Sequence, residues 1–243
     1  MTLNSTGRGT RYPVDVTIPQ RDLLALERQL FVRGEVVVGI DEVGRGALAG
    51  PLTVGAVALN RECRVPSGLT DSKLLTAARR ESLVAPLHRW ALDWALGSVS
   101  AYEVDQWGVR LALAVAATRA IEGLRVQPTF ALLDGPFNLL RAPSGVVQGA
   151  LDPPPLHYGE LAHSTVVRGD QWSATVAAAS VLAKVHRDRE MVGLHDEFEI
   201  YGWAQNKGYG VPAHLEALRQ YGPSPHHRQT WHLPVRTTIM MDH

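Results

Sequence analysis

The sequence predicts an α/β fold built on a mixed sheet, strands first and then helix and strand in alternation. Three observations carry this. Short apolar or alternating runs bounded by Gly, Pro, Asn or Ser crowd the first hundred residues, as strands do. From Ala101 onward, long segments with helical spacing alternate with brief buried runs, the pattern of helical crossovers between parallel strands. At 243 residues the chain is also long enough for a sizeable core. Expected divisions are a leader with a short helix over 1–33, a main α/β domain over 34–200 and a small helical C-terminal segment over 201–243.

Taken in order, residues 20–31, QRDLLALERQLF, place Leu23, Leu24, Leu26, Leu30 and Phe31 on or near one helical stripe that ends at Gly34. VVVGI (36–40), PLTVGAVAL (51–59) and WALGSVS (94–100) read as strands, the first two joined by a short turn. The run from Ala101 to about Gly123 reads as one helix, handing over to the buried strand TFALLD, which ends in Asp134. Residues 135–160 are rich in Pro and Gly and read as a long loop beside a site. HSTVVRG reads as a strand ending in Asp170, followed by a helix from Ser173 with a small-residue face at Ala178, Ala179 and Ala183. A glycine-punctuated stretch and the short helix AHLEALRQYG close the pattern.

Composition narrows the function classes. Lys plus Arg and Asp plus Glu are both 24, so any nucleic-acid footprint is local rather than global. Cys63 is the only cysteine, which excludes an internal disulfide and suits a reducing, cytoplasmic setting. The longest wholly apolar run, Leu111 to Ala117, is far shorter than the roughly 20 residues a membrane helix needs. Residues 1–18 lack the apolar core of a secretory signal.

Chemistry concentrates in the acids. Asp41, Asp134 and Asp170 fall at expected strand ends, with Glu42 beside the first. Each alone suits ordinary turn or capping chemistry, but loops at strand carboxyl ends build sites in α/β folds. Two unit charges about 4 Å apart repel by roughly 4 kcal/mol at an effective dielectric near 20, so four converging carboxylates call for a cation. All-oxygen ligation favours Mg²⁺ or Mn²⁺ over Zn²⁺, and His226, His227 and His232 lack the spaced cysteine partners of a zinc site. Neighbouring strand residues point to opposite faces, so Asp41 and Glu42 share a metal only if the strand distorts or ends between them.

Gly44, Gly46 and Ala49 also spell G-x-G-x-x-A, close to a dinucleotide fingerprint. Pro51 and the β-branched run after it predict a strand where that motif needs a helix, and two acids would repel a pyrophosphate. Glycines flanking Arg45 serve a sugar-phosphate chain better, through close backbone approach and a guanidinium fork. Lys73, Lys184 and Lys207 are the only lysines. They lie in DSK, AAASVLAK and NKGYG, and compact ammonium groups suit phosphates.

GIDEVGRGALAGP, DSKLL, LLDG, VRGDQWSATVAAASVLAKVHRDR and NKGYGVPAHLEAL followed by GPSPHHR resemble, in order from about Val36 to Arg228, ribonuclease HII, the type 2 ribonuclease H family. The resemblance implies a ribonuclease H-like mixed sheet flanked by helices. It implies hydrolysis of the RNA strand of RNA/DNA hybrids and nicking 5′ to single ribonucleotides in duplex DNA, leaving 3′-hydroxyl and 5′-phosphate ends. By matching position, Asp41, Glu42, Asp134 and Asp170 are the expected catalytic and metal-binding acids, with Mn²⁺ or Mg²⁺. Gly44, Arg45 and Gly46 are expected to grip the backbone and sense the 2′-hydroxyl, with Tyr209 at the RNA-to-DNA junction. Ser72, Lys73, Lys184 and Arg187 are expected at phosphates, although Lys184 and Arg187 read almost equally as a solvated pair with Asp188. A monomer that engages hybrid or ribonucleotide-containing duplex, with no membrane partner and a replication-clamp contact at the C-terminal segment, completes the expectation. The competing reading is a non-catalytic hybrid-binding protein, which would bind equally with metal or EDTA and cut nothing.

Overall fold

The computed structural model describes residues 22–142 and 149–234. The leader, part of the 135–160 loop and the last nine residues, with the expectations placed on them, lie outside the described residues. The strands are β1 (Val37–Val43), β2 (Leu52–Leu59), β3 (Asp93–Val99), β4 (Phe130–Asp134) and β5 (Ala162–Val166). They form one sheet in the order β3-β2-β1-β4-β5. β1 runs antiparallel to β2 and parallel to β4, β3 is antiparallel to β2, and β5 is parallel to β4. This is the expected mixed sheet, early strands antiparallel and later ones parallel.

Two long helices cover its faces. α3 (Ala101–Glu122) packs Ala112, Val115 and Ala116 on Val38, Ile40, Val54 and Ala56. On the other face lies α4 (Ala174–Glu197), whose approach is so close that a Cβ on Gly39 would sit 2.2 Å from the Thr175 carbonyl carbon. The small residues of α4 permit that contact. The buried Ser173, Thr175, Ala178 and Ala179 leave little side chain between helix and strands. α1 (Ala25–Phe31) closes one edge of this face, with Leu26 and Leu30 against Val37, Phe130 and Val176.

α1 also caps α4 across the sequence. Glu27 is fully buried, and its Oε1 accepts from Thr175 N (2.9 Å), Thr175 Oγ1 (2.8 Å) and Ser173 Oγ (2.6 Å). Burial raises its carboxyl above the ordinary value, against the pull of those donors. A carboxylate at a helix N-terminus meets free N–H groups and the positive end of the helix dipole.

The structure corrects five sequence expectations. α2 (Ala77–Trp90) has no counterpart in the sequence reading, because only Leu83 and Leu87 are buried on it and no apolar stripe marks it. α3 is two helical stretches joined at Gly108 (φ 70°) rather than one continuous helix. Its start is fixed by a capping box, Ser100 Oγ accepting from Glu103 N while Ser100 N donates to Glu103 Oε2. β4 and β5 are parallel without a helix between them among the described residues of 135–161. That stretch instead packs on α3, where Trp107 Nε1 donates to Leu151 O at 2.8 Å. β5 stops at Val166, and Arg168 in the left-handed region (φ 58°) turns the chain into a 3₁₀ turn that carries Asp170. Finally, β1 neither ends nor distorts between Asp41 and Glu42, pairing in register with β2 through Val43.

The C-terminal elements α5 (Trp203–Asn206) and α6 (Pro212–Tyr221) dock on α4 through Met191, Tyr201, Trp203 and Leu218. The turn after β1 is fastened to this region, since Leu48 N donates to Gly208 O (2.8 Å) and Arg228 N to Leu48 O (2.9 Å).

Candidate active site

Sheet topology collects the acids. Val38 and Ile40 face α3, whereas Val37 and Gly39 face α4, so alternation sends Asp41 to the α4 side and Glu42 to the α3 side. The pairing of β1 with β4 stops at Ile40 and Leu133, which opens the sheet end where Asp134 stands. Asp134 Oδ1 accepts from Gly169 N at 2.6 Å, tying the end of β4 to the turn that bears Asp170. The two neighbouring acids straddle the sheet end, and both feel the charge of Asp134.

Burial and mutual repulsion act together on these carboxyls. Asp41, only 4 % exposed, is pushed well above its ordinary value by burial and then by the charges of Asp134 and Glu42. Glu42 is raised by burial and Asp134, with Arg45 at 3.6 Å opposing the rise. Asp170 rises to about 6, first through burial and then through a hydrogen bond with the Asp71 carboxyl. Asp71 stays below its ordinary value despite burial, because Lys73 N (2.8 Å) and Gln171 Nε2 (3.2 Å) donate to it and the Lys73 charge lies nearby. Lys73 reaches Asp170 at 3.5 Å, and Asp170, Asp41, Asp71 and Asp134 hold its ammonium positive against partial burial.

Two clefts meet at the acids. One, of about 340 Å³, runs between Asp41, Arg45, Gly46, Lys73 and Tyr209. The other, of about 360 Å³, runs between Glu42, Asp134, Arg110, Phe137 and Arg141. In the second, the Arg110 guanidinium lies 5.8 Å from the centre of the exposed Phe137 ring. The 135–141 segment thus forms one wall of this cleft.

The remaining expected residues divide. Ser72 lines the first cleft but is itself buried, its hydroxyl 2.7 Å from that of Ser180. Lys184 also lines the cleft, paired to Asp188 at 2.5 Å. Arg187 does not sit where the sequence reading put it. It is fully buried, and its donors end on the carbonyls of Pro51, Ala49 and Lys207, so it stands behind the turn rather than at a phosphate. The sequence reading also missed Asp71, although it is the acid of the DSK tripeptide whose Ser72 and Lys73 were singled out. Arg228 was missed with no local signal beyond its place in the quoted GPSPHHR run.

The donor set fits a hard divalent cation. Every candidate ligand is a carboxylate oxygen, the chemistry that Mg²⁺ and Mn²⁺ prefer, and burial together with the charges of Asp134 and Glu42 disfavours the Asp41 anion. Among the described residues no three His, Cys, Asp or Glu side chains stand close enough to hold one metal ion by themselves, so an ion here would need water or substrate oxygens to complete its shell.

The family model for ribonuclease HII matches residues 38–233. Ribonuclease HII of Streptomyces avermitilis is 45% identical over 197 residues, 81% of this chain and 77% of that protein. Ribonuclease HII of Burkholderia mallei is 41% identical over 203 residues, 84% of this chain and 86% of that protein. Among solved structures, ribonuclease H2 of Pyrococcus horikoshii matches with TM-score 0.62 and 28% identity, covering 82% of this chain and 94% of that one. Ribonuclease HII of Archaeoglobus fulgidus, solved with PCNA, matches with TM-score 0.64 and 28% identity, covering 84% and 98%. A ribonuclease HIII solved with Mn²⁺ shares the fold at TM-score 0.57 and 20% identity, covering 78% of this chain and 63% of that one.

Proposed function

The chain belongs to the ribonuclease HII family, endoribonucleases acting on RNA/DNA hybrids, and from that premise we propose that it nicks duplex DNA 5′ to a single embedded ribonucleotide. The products would carry 3′-hydroxyl and 5′-phosphate ends. The observation that carries the site assignment is the meeting of Asp41, Glu42, Asp134 and Asp170 at one sheet end between two arginine-bearing clefts. These four acids would hold Mg²⁺ or Mn²⁺. Bound there, a divalent ion neutralises charge on the reacting phosphate and helps activate the attacking water.

The chain's own residues supply position. The cut strand would run through the first cleft, across the acids and into the second. Arg45, free of strong pairing at 54 % side-chain exposure, reaches one phosphate, and the backbone of Gly44 and Gly46 approaches the ribose closely enough to sense its 2′-hydroxyl. Tyr209, which lines the same cleft, packs against the sugar at the RNA-to-DNA junction. Lys73 supplies a cation over Asp170. Lys184, with its Asp188 partner, is a weaker phosphate contact, and Ser72 acts through Ser180, a hydroxyl that also bonds Asp41. Arg110 and Arg141 would carry the strand beyond the acids. A sliding-clamp contact, suggested by the Archaeoglobus complex, would fall to the C-terminal tail outside the described residues.

The test is a labelled duplex with one ribonucleotide, incubated with Mg²⁺ or Mn²⁺. A single nick 5′ to the ribonucleotide, lost in EDTA and in Asp134→Asn, is the expected result. No cut in either metal removes the proposal, and normal cutting by Asp134→Asn removes that acid from it.

A further inference from the structure

Beneath the turn from Gly44 to Pro51 lie two arginines, Arg187 and Arg228, both with no exposed surface. Buried guanidinium groups are normally matched by carboxylates, because an uncompensated buried charge is costly. Here the donors go to backbone carbonyls instead. Arg228 donates from Nη2 to Gly44 O (2.6 Å) and from Nη1 to Arg45 O (2.7 Å). Arg187 donates to Pro51 O (2.7 Å), Ala49 O (3.0 Å) and Lys207 O (2.8 Å). Their flat faces lie against rings, Arg187 5.5 Å from the Tyr209 centroid and Arg228 4.8 Å from that of Trp231.

This arrangement fixes which way the turn faces. In a trans peptide the C=O and N–H point oppositely, so drawing the carbonyls of Gly44 and Arg45 inward turns the N–H groups of Arg45 and Gly46 outward. Among the described residues neither N–H finds a protein acceptor. A Cβ on Gly46 would meet nothing within 4 Å, so the turn looks onto open space. Gly44 is held to glycine from below. Its φ is +83°, and a Cβ there would sit 2.2 Å from Arg187 Nε.

A histidine relay holds the same frame. Ser224 N donates to His227 Nδ1 (2.9 Å), which puts the His227 proton on Nε2, facing His214 Nε2 at 3.0 Å. His214 in turn donates from Nδ1 to Tyr209 O (3.0 Å). The chain therefore links the backbone beside Arg228 to the backbone of Tyr209.

We infer that Arg187 and Arg228 are positioning residues that lock the Gly44–Gly46 turn with two amides facing the substrate and place unneutralised positive charge under a phosphate of the ribonucleotide-bearing strand. The inference rests on the proposed function of that turn and adds the device that shapes it. Neither arginine touches substrate. Both act through the turn they hold.

Arg228→Gln and Arg228→Lys test this, with KM and kcat measured on a single-ribonucleotide duplex and on a long hybrid. Affinity for an all-DNA duplex in EDTA and the melting midpoint are followed alongside. Loss of two charge-assisted bonds should raise KM on the single-ribonucleotide duplex by about tenfold or more, with a smaller change in kcat and a matching loss of preference over all-DNA duplex. The lysine variant should fail with the glutamine variant, because one ammonium cannot serve Gly44 and Arg45 in the guanidinium's fork geometry. Arg187→Lys repeats the test should Arg228 variants unfold. Unchanged preference in a folded variant, equal loss on every substrate tracking the melting midpoint, or unfolding of both sites' variants each overturns the inference. An inactive wild-type chain would bring down the proposed function itself, whereas variants matching an active wild type bring down this inference alone.

Discussion

Replacing Glu27 with alanine should destabilise the fold by about 3 kcal/mol without touching an acid of the site. One carboxylate oxygen holds Ser173 Oγ, Thr175 N and Thr175 Oγ1. After its removal the two hydroxyls, already 3.0 Å apart, can satisfy each other, but the Thr175 N–H is left orphaned in a buried place. An orphaned buried donor costs about 1–3 kcal/mol, and the emptied volume adds on the order of 1 kcal/mol. In a chain of this size that is roughly 6–12 °C in Tm. Glu27→Gln separates bonding from charge, since its amide oxygen can keep the three donors. Because burial raises the folded pKa of Glu27, its contribution is fully present below the unfolded value and lost as pH rises through the folded one. Relative to Glu27→Gln, the wild type should therefore lose stability as pH rises above the ordinary carboxyl value of 4.5. Urea midpoints for the three proteins across that rise measure both effects. A loss below about 1 kcal/mol for Glu27→Ala would refute the long-range cap, and parallel pH curves for wild type and Glu27→Gln would refute the raised carboxyl.

Two further outcomes follow from the same geometry. Burial and the neighbouring His214 depress His227 to about 4, so its stabilising contribution is present above the unfolded value near 6.5 and is lost as pH falls toward 4. Glutamine at 227 can accept from Ser224 and donate to His214 at every pH, so the wild type should lose about 3 kcal/mol relative to His227→Gln over that window; a constant difference would show that His227 does not titrate with folding. In the second cleft, Arg110→Ala and Arg141→Ala should each weaken duplex binding and reduce the slope of log K against log salt by about 0.9. Arg141 is the weaker case, being 3.5 Å from Glu160, and an unchanged slope in both variants would take the strand off this path.

Strand alternation and residue type made the sheet legible in the sequence, along with all four acids as candidates. Features that depend on distant partners were not. Arg187 lies three residues after Lys184 and spells a surface pair, yet α4 is buried on the side where Arg187 emerges and its polar partners come from residues 49, 51 and 207. Glu27 sits in an apolar stripe with no local reason to be buried, because the groups that donate to it there are nearly 150 positions away. α2 was illegible for the opposite reason. It buries little and so leaves no period to read.

The expectation that β1 must break between Asp41 and Glu42 rested on the premise that ligands to one site leave one face of a sheet. Topology removes that premise. β1, β4 and β5 are parallel, so their carboxyl ends lie together, and the connections that leave them bring residues 41, 134 and 170 to one edge from separate parts of the chain. At an edge, side chains from opposite faces can both turn around the end of the sheet, which the interior of a strand forbids. Asp41 is held on the α4 side near Ser180 and Glu42 on the α3 side near Arg45, so one regular strand supplies a wall to each cleft.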